Sequence, residues 1–261
     1  MRRIARLLTL LALPLAAAGC TMHLNAVEGP ASIAIPTSYP WESTIYAVRT
    51  ESGVLLVDLG WTGAARPLRR GLARIGARPE DVTDVFVTHS HRDHIGAWRA
   101  VQQARFHVGA SERAMLESLK EHADLPSRAG DLVLGNPAPW PGEVNVHSFS
   151  ADTVMVIGGD TVRAFLNPGH TAGSASYLIR GVLYVGDAVY RSYVTGYRPA
   201  SHIFTADHAQ SRASLVSLFD RVRPYSPAWV CTAHGKCARP DERFIRKVLG
   251  DAFPDTAPAP N

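Results

Sequence analysis

No basic patch is visible in this chain, and its nominal charge misleads. Lys and Arg total 27 against 23 acidic residues, a formal +4, but Arg2, Arg3 and Arg6 lie in a leader that has no acids. The remainder sets 24 basic side chains against 23 acidic ones. Near-neutrality without a run of cations argues against nucleic acid as a partner. Nor is there an apolar run long enough to span a bilayer, since the most apolar stretch, Ile4 to Leu15, is too short. No linker divides the middle, and no short repeat or low-complexity block precedes the Pro- and Ala-rich end. The 46% hydrophobic content is sufficient for a substantial core.

What residues 1–20 do contain is a positive start, an apolar core and the small-residue run Ala16-Ala17-Ala18-Gly19-Cys20. This is the grammar of an export signal. The ending resembles a bacterial lipoprotein signal, with Cys20 lipidated and first in the mature chain, although Ala17 stands where such signals most often carry leucine. Ala16-x-Ala18 also suits ordinary cleavage and secretion. The expected product is periplasmic, tethered to the outer membrane through Cys20, or else simply secreted. Only three cysteines are present. With Cys20 in the signal, Cys231 and Cys237 remain, bracketing Thr232-Ala233-His234-Gly235-Lys236, and two free thiols or one bracing disulfide both fit the sequence.

The expected organisation is a signal over 1–20, a spacer and domain start over 21–42, a catalytic domain over 43–250 and a disordered tail over 251–261. Hydrophobic alternation predicts a hairpin from Ser43–Arg49 and Val54–Asp58. A helix is expected over Ala64 to Ile75, then a strand over Asp84–Val87, and a helix over Gly96–Gln103. Arg105–Val108 reads as a strand, and Ser111–Leu119 as a helix capped by Ser111. Residues 120–142 read as a surface excursion of the length a lid needs. Val144–Phe149, Thr153–Ile157 and Thr161–Leu166 read as antiparallel strands, and Ser176–Ile179 with Val182–Val185 as another pair. Ala206 to Val222 is a helix with Asp207 as its cap. Trp229–Thr232 and Glu242–Leu249 close the domain. Strands in runs with helices at intervals, twice over, predict two sheets packed together with helices outside, an α/β (α+β) sandwich.

The chemistry concentrates in Thr88-His89-Ser90-His91-Arg92-Asp93-His94-Ile95-Gly96, at the end of the apolar run Val85-Phe86-Val87. Three imidazoles and a carboxylate at one strand end compete for hydration unless a divalent cation engages them. His89 and His91 point the same way on an extended segment. The adjacent Asp93 and His94 point apart, as a second metal beside the first requires. Three later strand ends each offer a ligand beside glycine: His170 after Asn167-Pro168-Gly169, Asp187 after Gly186, and His234 before Gly235. Cysteine is not needed as a ligand, because oxygen and nitrogen donors suffice.

This ordered set, His89-x-His91-x-Asp93-His94 followed by His170, Asp187 and His234, resembles the metallo-β-lactamase superfamily. The resemblance runs from about Ser43 to the last helix. It implies a four-layer αββα sandwich of two mixed sheets with metals at one edge, and it casts Asp58 as support for the histidine loop. It further implies one metal on His89, His91 and His170, and a second on Asp93, His94 and His234, with Asp187 bridging. Zinc is the default, iron and manganese the alternatives. A metal-bridging hydroxide would attack the carbonyl of a small-molecule substrate, with Asp93 also able to orient it.

Within that family the bridging Asp187 argues against antibiotic hydrolysis. Tyr190, three residues on, resembles the tyrosine of lactonases, and a packed aromatic fits the same position. The leading expectation is therefore a lactone or carboxylic ester hydrolase using Asp93, Asp187 and Tyr190. β-Lactam or thioester hydrolysis is the alternative. A mononuclear-iron persulfide oxidase and a non-catalytic metal-stabilised binding module are further readings.

Overall fold

Alternation along the strands builds the layers. In the computed structural model, which describes residues 23–24, 32–38, 42–117, 122–139 and 141–250, seven strands form the first sheet. They are β1 (His23–Leu24), β2 (Ser32–Ser38), β3 (Glu42–Thr50), β4 (Gly53–Val57), β5 (Val82–Phe86), β6 (Arg105–Gly109) and β7 (Asn145–Phe149). They lie side by side in chain order, antiparallel through β4 and parallel from β4 to β7. Every second side chain, Ile33, Ile35, Ile45, Ala47, Val54, Leu56 and Val85, enters a core covered by Leu68 and Leu72. The intervening ones, Ala34, Tyr46, Val48, Leu55, Val57 and Phe86, enter a different core between the sheets. Both faces are dry, so near-continuous apolar runs replace a polar–apolar alternation.

The second sheet holds β8 (Thr153–Ile157), β9 (Asp160–Leu166), β10 (Ala175–Ile179) and β11 (Val182–Gly186). A separate hairpin, β12 (Val189–Ser192) and β13 (Gly196–Pro199), intervenes before β14 (Trp229–Thr232) and β15 (Cys237–Ala238). The sheet order is β15-β14-β11-β10-β9-β8, with β11 and β14 parallel and the other neighbours antiparallel. Val162, Ala164, Tyr177, Ile179 and Tyr184 face the first sheet. Phe165, Leu178, Leu183, Val185 and Val230 face outward into a third core with Leu215, Leu218, Phe244 and Val248. The helices are α1 (Ala65–Arg74), α2 (Arg92–Ile95), α3 (Arg113–Leu116), α4 (Leu125–Leu134), α5 (His208–Val222) and α6 (Glu242–Leu249). With α1 outside the first sheet and α5 and α6 outside the second, the expected αββα sandwich of two mixed sheets is the observed one.

Several local expectations change. The helix foreseen over Gly96–Gln103 starts earlier: His91 turns the chain at φ −59°, ψ 149°, and Arg92–Ile95 forms the helical turn, with only a 3₁₀ turn over Trp98–Ala100. Asp93 and His94 therefore do not diverge as they would on an extended segment; both reach His234. Ser111 caps nothing, because a 3₁₀ turn over Ala110–Glu112 carries Glu112 inward and α3 begins after it. Residues 125–134, expected as an irregular excursion, are helical. Asp124 accepts from the Ser127 amide at 2.8 Å and Pro126 stands in the first turn. β7 pairs in parallel with β6 in the first sheet rather than antiparallel to the strand that follows it. The hairpin β12–β13 and strand β2 carried no separate prediction; β2 lies within 21–42, treated above as spacer and domain start. The Asp207 cap is present, accepting from the Gln210 amide at 2.9 Å.

The expected leader with its Cys20 anchor, and the tail, lie outside the described residues. No helix among the described residues is long and apolar enough to cross a membrane. Cys231 and Cys237, Cα partners across β14 and β15, are joined by a disulfide. The bridge closes the loop that carries His234. Its short span limits the chain entropy it removes, so Cys237→Ser is expected to cost about 2 kcal/mol. Urea titration of parent and variant under oxidising conditions measures this; equal midpoints would show that the brace contributes nothing.

Candidate metal centre

All the strand ends at one edge converge. Asp58 follows β4, His89 to His94 follow β5, His170 follows β9, Asp187 follows β11 and His234 follows β14. Asp58 sits at φ +59°, an uncommon conformation for a non-glycine residue, and its carboxylate accepts from the Thr88 amide at 2.8 Å and from the Thr88 hydroxyl. Gly186, at φ +52°, lies where an added Cβ would come within 2.5 Å of the Thr88 hydroxyl oxygen. These contacts seat the β5 and β11 loops against each other.

Three ring nitrogens form the first group: His89 Nε2 and His91 Nδ1 lie 3.1 Å apart, and His170 Nε2 is 3.1 and 3.2 Å from them. Asp93, His94 and His234 form the second. Asp93 Oδ2 is 3.1 Å from His234 Nε2 and 3.6 Å from His94 Nε2. Asp187 lies between the groups. One carboxylate oxygen is 3.4 Å from His94 Nε2, and the other is 3.1 Å from His234 Nε2 and 3.7 Å from His170 Nε2.

The opposite ring nitrogens decide the proton inventory. His94 Nδ1 donates to Asp58 at 2.9 Å, His91 Nε2 donates to Asp124 at 3.0 Å, and His234 Nδ1 donates to the Glu42 carbonyl. The Thr205 hydroxyl gives its single proton to the Ser201 carbonyl, so at 3.1 Å it accepts from His170 Nδ1. The Thr88 hydroxyl is likewise committed to Asp58 and accepts from His89 Nδ1 at 3.1 Å. In neutral rings, all five inward nitrogens are then bare lone pairs. Five lone pairs and two carboxylates face one another with no donor among them. His94 Nε2 and one Asp187 oxygen are buried without a hydrogen-bond partner. Such a donor set fits a pair of divalent cations.

The electrostatics carry the same conflict. Burial, then His94 and His170, hold His89 well below the ordinary imidazole value. Burial and His91 lower His170 to about 3. Burial opposes the charged form of His94, but Asp93, Asp187 and Asp58 raise it to about 9, and Asp187 and Asp93 lift His234 against the same burial penalty. Against burial, His94 and His234 lower Asp93 to about 2 and take Asp187 well below the carboxylate range. Without a cation, protons on His94 and His234 are what balance the two carboxylates. The centre is dry on the His89 side and opens at His234, whose side chain is 25% exposed.

The structure thus brings together His89, His91, Asp93, His94, His170, Asp187 and His234. Tyr190 is half-buried on β12, and no hydrogen bond joins its hydroxyl to a described residue. Of the aromatics flanking this edge, Tyr193 is exposed, whereas Tyr197 donates to the Lys236 carbonyl and packs on Phe244. Sequence reasoning passed over two supports. Glu112, fully buried, accepts from the Ser90 amide and hydroxyl and from Thr171 and Gly173, tying the His89–His91 loop to the His170 loop. Asp124 is the other. The available signals were an acid just past the end of β6, at the edge that bears the ligands, and the pattern Asp124-Leu125-Pro126 ahead of a helix.

Residues 38–234 match the family model described as the metallo-beta-lactamase superfamily. The chain belongs to that superfamily. Its relatives include a protein named "probable metallo-hydrolase" from Mycobacterium tuberculosis, 29% identical over 180 residues, 56% of each chain. A hydroxyacylglutathione hydrolase of Aeromonas hydrophila is 26% identical over 177 residues, 68% of this chain and 56% of that one. The chain therefore spans little more than half the length of these curated relatives. Among solved structures, the B3 metallo-beta-lactamase BLEG-1 superposes with a TM-score of 0.63 at 24% identity, covering 82% of this chain and 96% of that one. A superfamily protein of Sulfolobus tokodaii gives 0.57 at 18%, covering 82% and 85%. Both share the fold.

Proposed function

We propose that the protein is a dinuclear metallohydrolase that cleaves an ester-like bond, a lactone or another carboxylic ester. The observation that carries this reading is Asp187, whose two carboxylate oxygens reach His94 on one side and His170 and His234 on the other. In this reading His89, His91 and His170 hold one cation, Asp93, His94 and His234 the other, and Asp187 both. Zinc suits the imidazole and carboxylate donors, and iron or manganese would also fit them. Two such cations supply a water acidified toward neutral pH and a Lewis acid for a carbonyl oxygen.

The chain's own residues do the rest. Asp58, Thr88, Thr205 and the Glu42 carbonyl hold the outer imidazole protons, so that the inward lone pairs stay fixed. Burial on the His89 side excludes bulk water, and the opening at His234 and Asp93 admits substrate. Asp93, beside that opening, is placed to orient a water proton. Tyr190 follows Asp187 by three residues on β12, and we assign its hydroxyl to the substrate's leaving oxygen. Tyr190→Phe is then expected to lower kcat about tenfold or more, with little change in KM. An unchanged kcat would remove Tyr190 from the mechanism.

A second reading, thioester hydrolysis, is favoured by the relatives named hydroxyacylglutathione hydrolases. Zinc-loaded protein assayed against lactones, carboxylic esters, thioesters and β-lactams separates the readings. Turnover confined to thioesters would replace the ester assignment, and no turnover of any class would return the chain to a metal-stabilised binding module. Export, with or without a lipid on Cys20, remains our reading of residues 1–20, and mass measurement of the mature N-terminus tests it.

A further inference from the structure

α4 is attached to the protein in an unusual way. None of its residues is buried, and Leu125, Leu132, Val133 and Leu134 face solvent. An isolated ten-residue helix is marginal in water, so its polar links decide whether it forms. Asp131 lies 3.3 Å from the Arg92 guanidinium, which also donates to the Gly135 carbonyl. Asp124, almost wholly buried, divides its carboxylate: one oxygen accepts from the Ser127 amide in the first turn, and the other accepts from His91 Nε2 at 3.0 Å. His122, just before it, stacks edge-on against the His91 ring.

We propose that Asp124 is a positioning residue that couples metal uptake at His89, His91 and His170 to the formation of α4. The inference rests on the dinuclear reading above. A cation taken by His91 Nδ1 leaves the ring proton on Nε2, where it is donated to Asp124. The same ring that presents Nδ1 to His89 and His170 holds the Asp124 carboxylate through Nε2. A cation that fixes the ring therefore also fixes the cap of α4, and a ring left free by the absence of a cation holds that cap less firmly. By linkage, whatever orders α4 tightens the metal to the same extent. The helix thus senses whether the centre is loaded.

Amide hydrogen exchange over residues 125–134 of the full chain tests this at pH 8, metal-free and with zinc. Zinc is expected to slow exchange roughly tenfold in the parent. Asp124→Ser keeps a capping oxygen but is too short to reach His91. There the zinc-dependent slowing should vanish, and chelator competition should give zinc affinity about 10- to 100-fold weaker. Asp131→Ala, which loosens the helix without touching His91, should exchange faster in both states and still slow with zinc. The visible spectrum of the cobalt-loaded protein should change in Asp124→Ser but not in Asp131→Ala. Zinc taken up by the parent without slower exchange, or slowing retained in Asp124→Ser, overturns the coupling alone. A parent that binds no zinc overturns the metal reading and the coupling with it.

Discussion

Asp187→Ala is expected to lower turnover about 10³-fold, some 4 kcal/mol of transition-state stabilisation, and to reduce bound zinc from two equivalents per chain toward one. Among the described residues, Asp187 is the only carboxylate within 4 Å of His94, His170 and His234 at once. In the dinuclear reading, its loss would leave two divalent cations facing a single carboxylate, that of Asp93. His89, His91 and His170 do not depend on Asp187 for their orientation, because Thr88, Asp124 and Thr205 hold their outer nitrogens. One cation should therefore remain while the second weakens. Zinc content read beside steady-state kinetics decides the matter. A variant as fast as its parent would sink the bridging mechanism, and a parent holding a single equivalent would sink the dinuclear one. Asp187→Asn, similar in volume, guards against a packing artefact and should behave like the alanine variant.

Glu112→Ala should be the most damaging substitution outside the ligand set. The carboxylate is inaccessible to solvent and compensated by four donors at 2.6 to 3.1 Å, two from Ser90, one from Thr171 and one from Gly173. Truncation strands all four in the interior, a loss of about 3–5 kcal/mol and a fall in Tm of roughly 10 °C. Glu112→Gln is informative because it preserves volume. Its single carbonyl oxygen can serve one loop, while its NH₂ meets donors on the other, so it should recover only part of the loss. Zinc affinity should fall about 10- to 100-fold in both variants, since the His89–His91 and His170 loops would no longer be registered. Melting and chelator competition measure the two effects. Parent-like values for Glu112→Ala would show that the backbone holds these loops unaided.

The ligand set was legible because its chemistry is local. His89, His91, Asp93 and His94 crowd one strand end, and His170, Asp187 and His234 each follow an apolar strand beside a glycine. The sandwich was legible for a related reason. A strand buried on both faces is a short apolar run whatever its partner, and such runs recur in both halves of the chain. The Asp207 cap needed only the residues that follow it.

Other features depended on who the neighbours are. Nothing within Asn145–Phe149 says that it pairs in parallel with Arg105–Gly109 rather than with the next strand. Sequence spacing alone suggested that Asp93 and His94 diverge; the helical turn after His91 brings them to one metal group. Glu112 read simply as a residue of the helix expected over Ser111–Leu119, yet its four donors come from loops 22 and some 60 positions away. Asp124 lay in a segment without apolar periodicity, because α4 turns its polar side toward the protein. Cys231 and Cys237 allowed two states until the β14–β15 register set them opposite each other.

The sequence by itself determined the donor chemistry, the strand-by-strand hydrophobic pattern and hence the layered fold, since these follow from residue type and short-range spacing. Tertiary structure decided which nitrogen of each histidine faces the centre, which buried acids hold the ligand loops, and that Asp187 stands between the two groups. Those are properties of contacts between distant segments, fixed only when both sheets are packed.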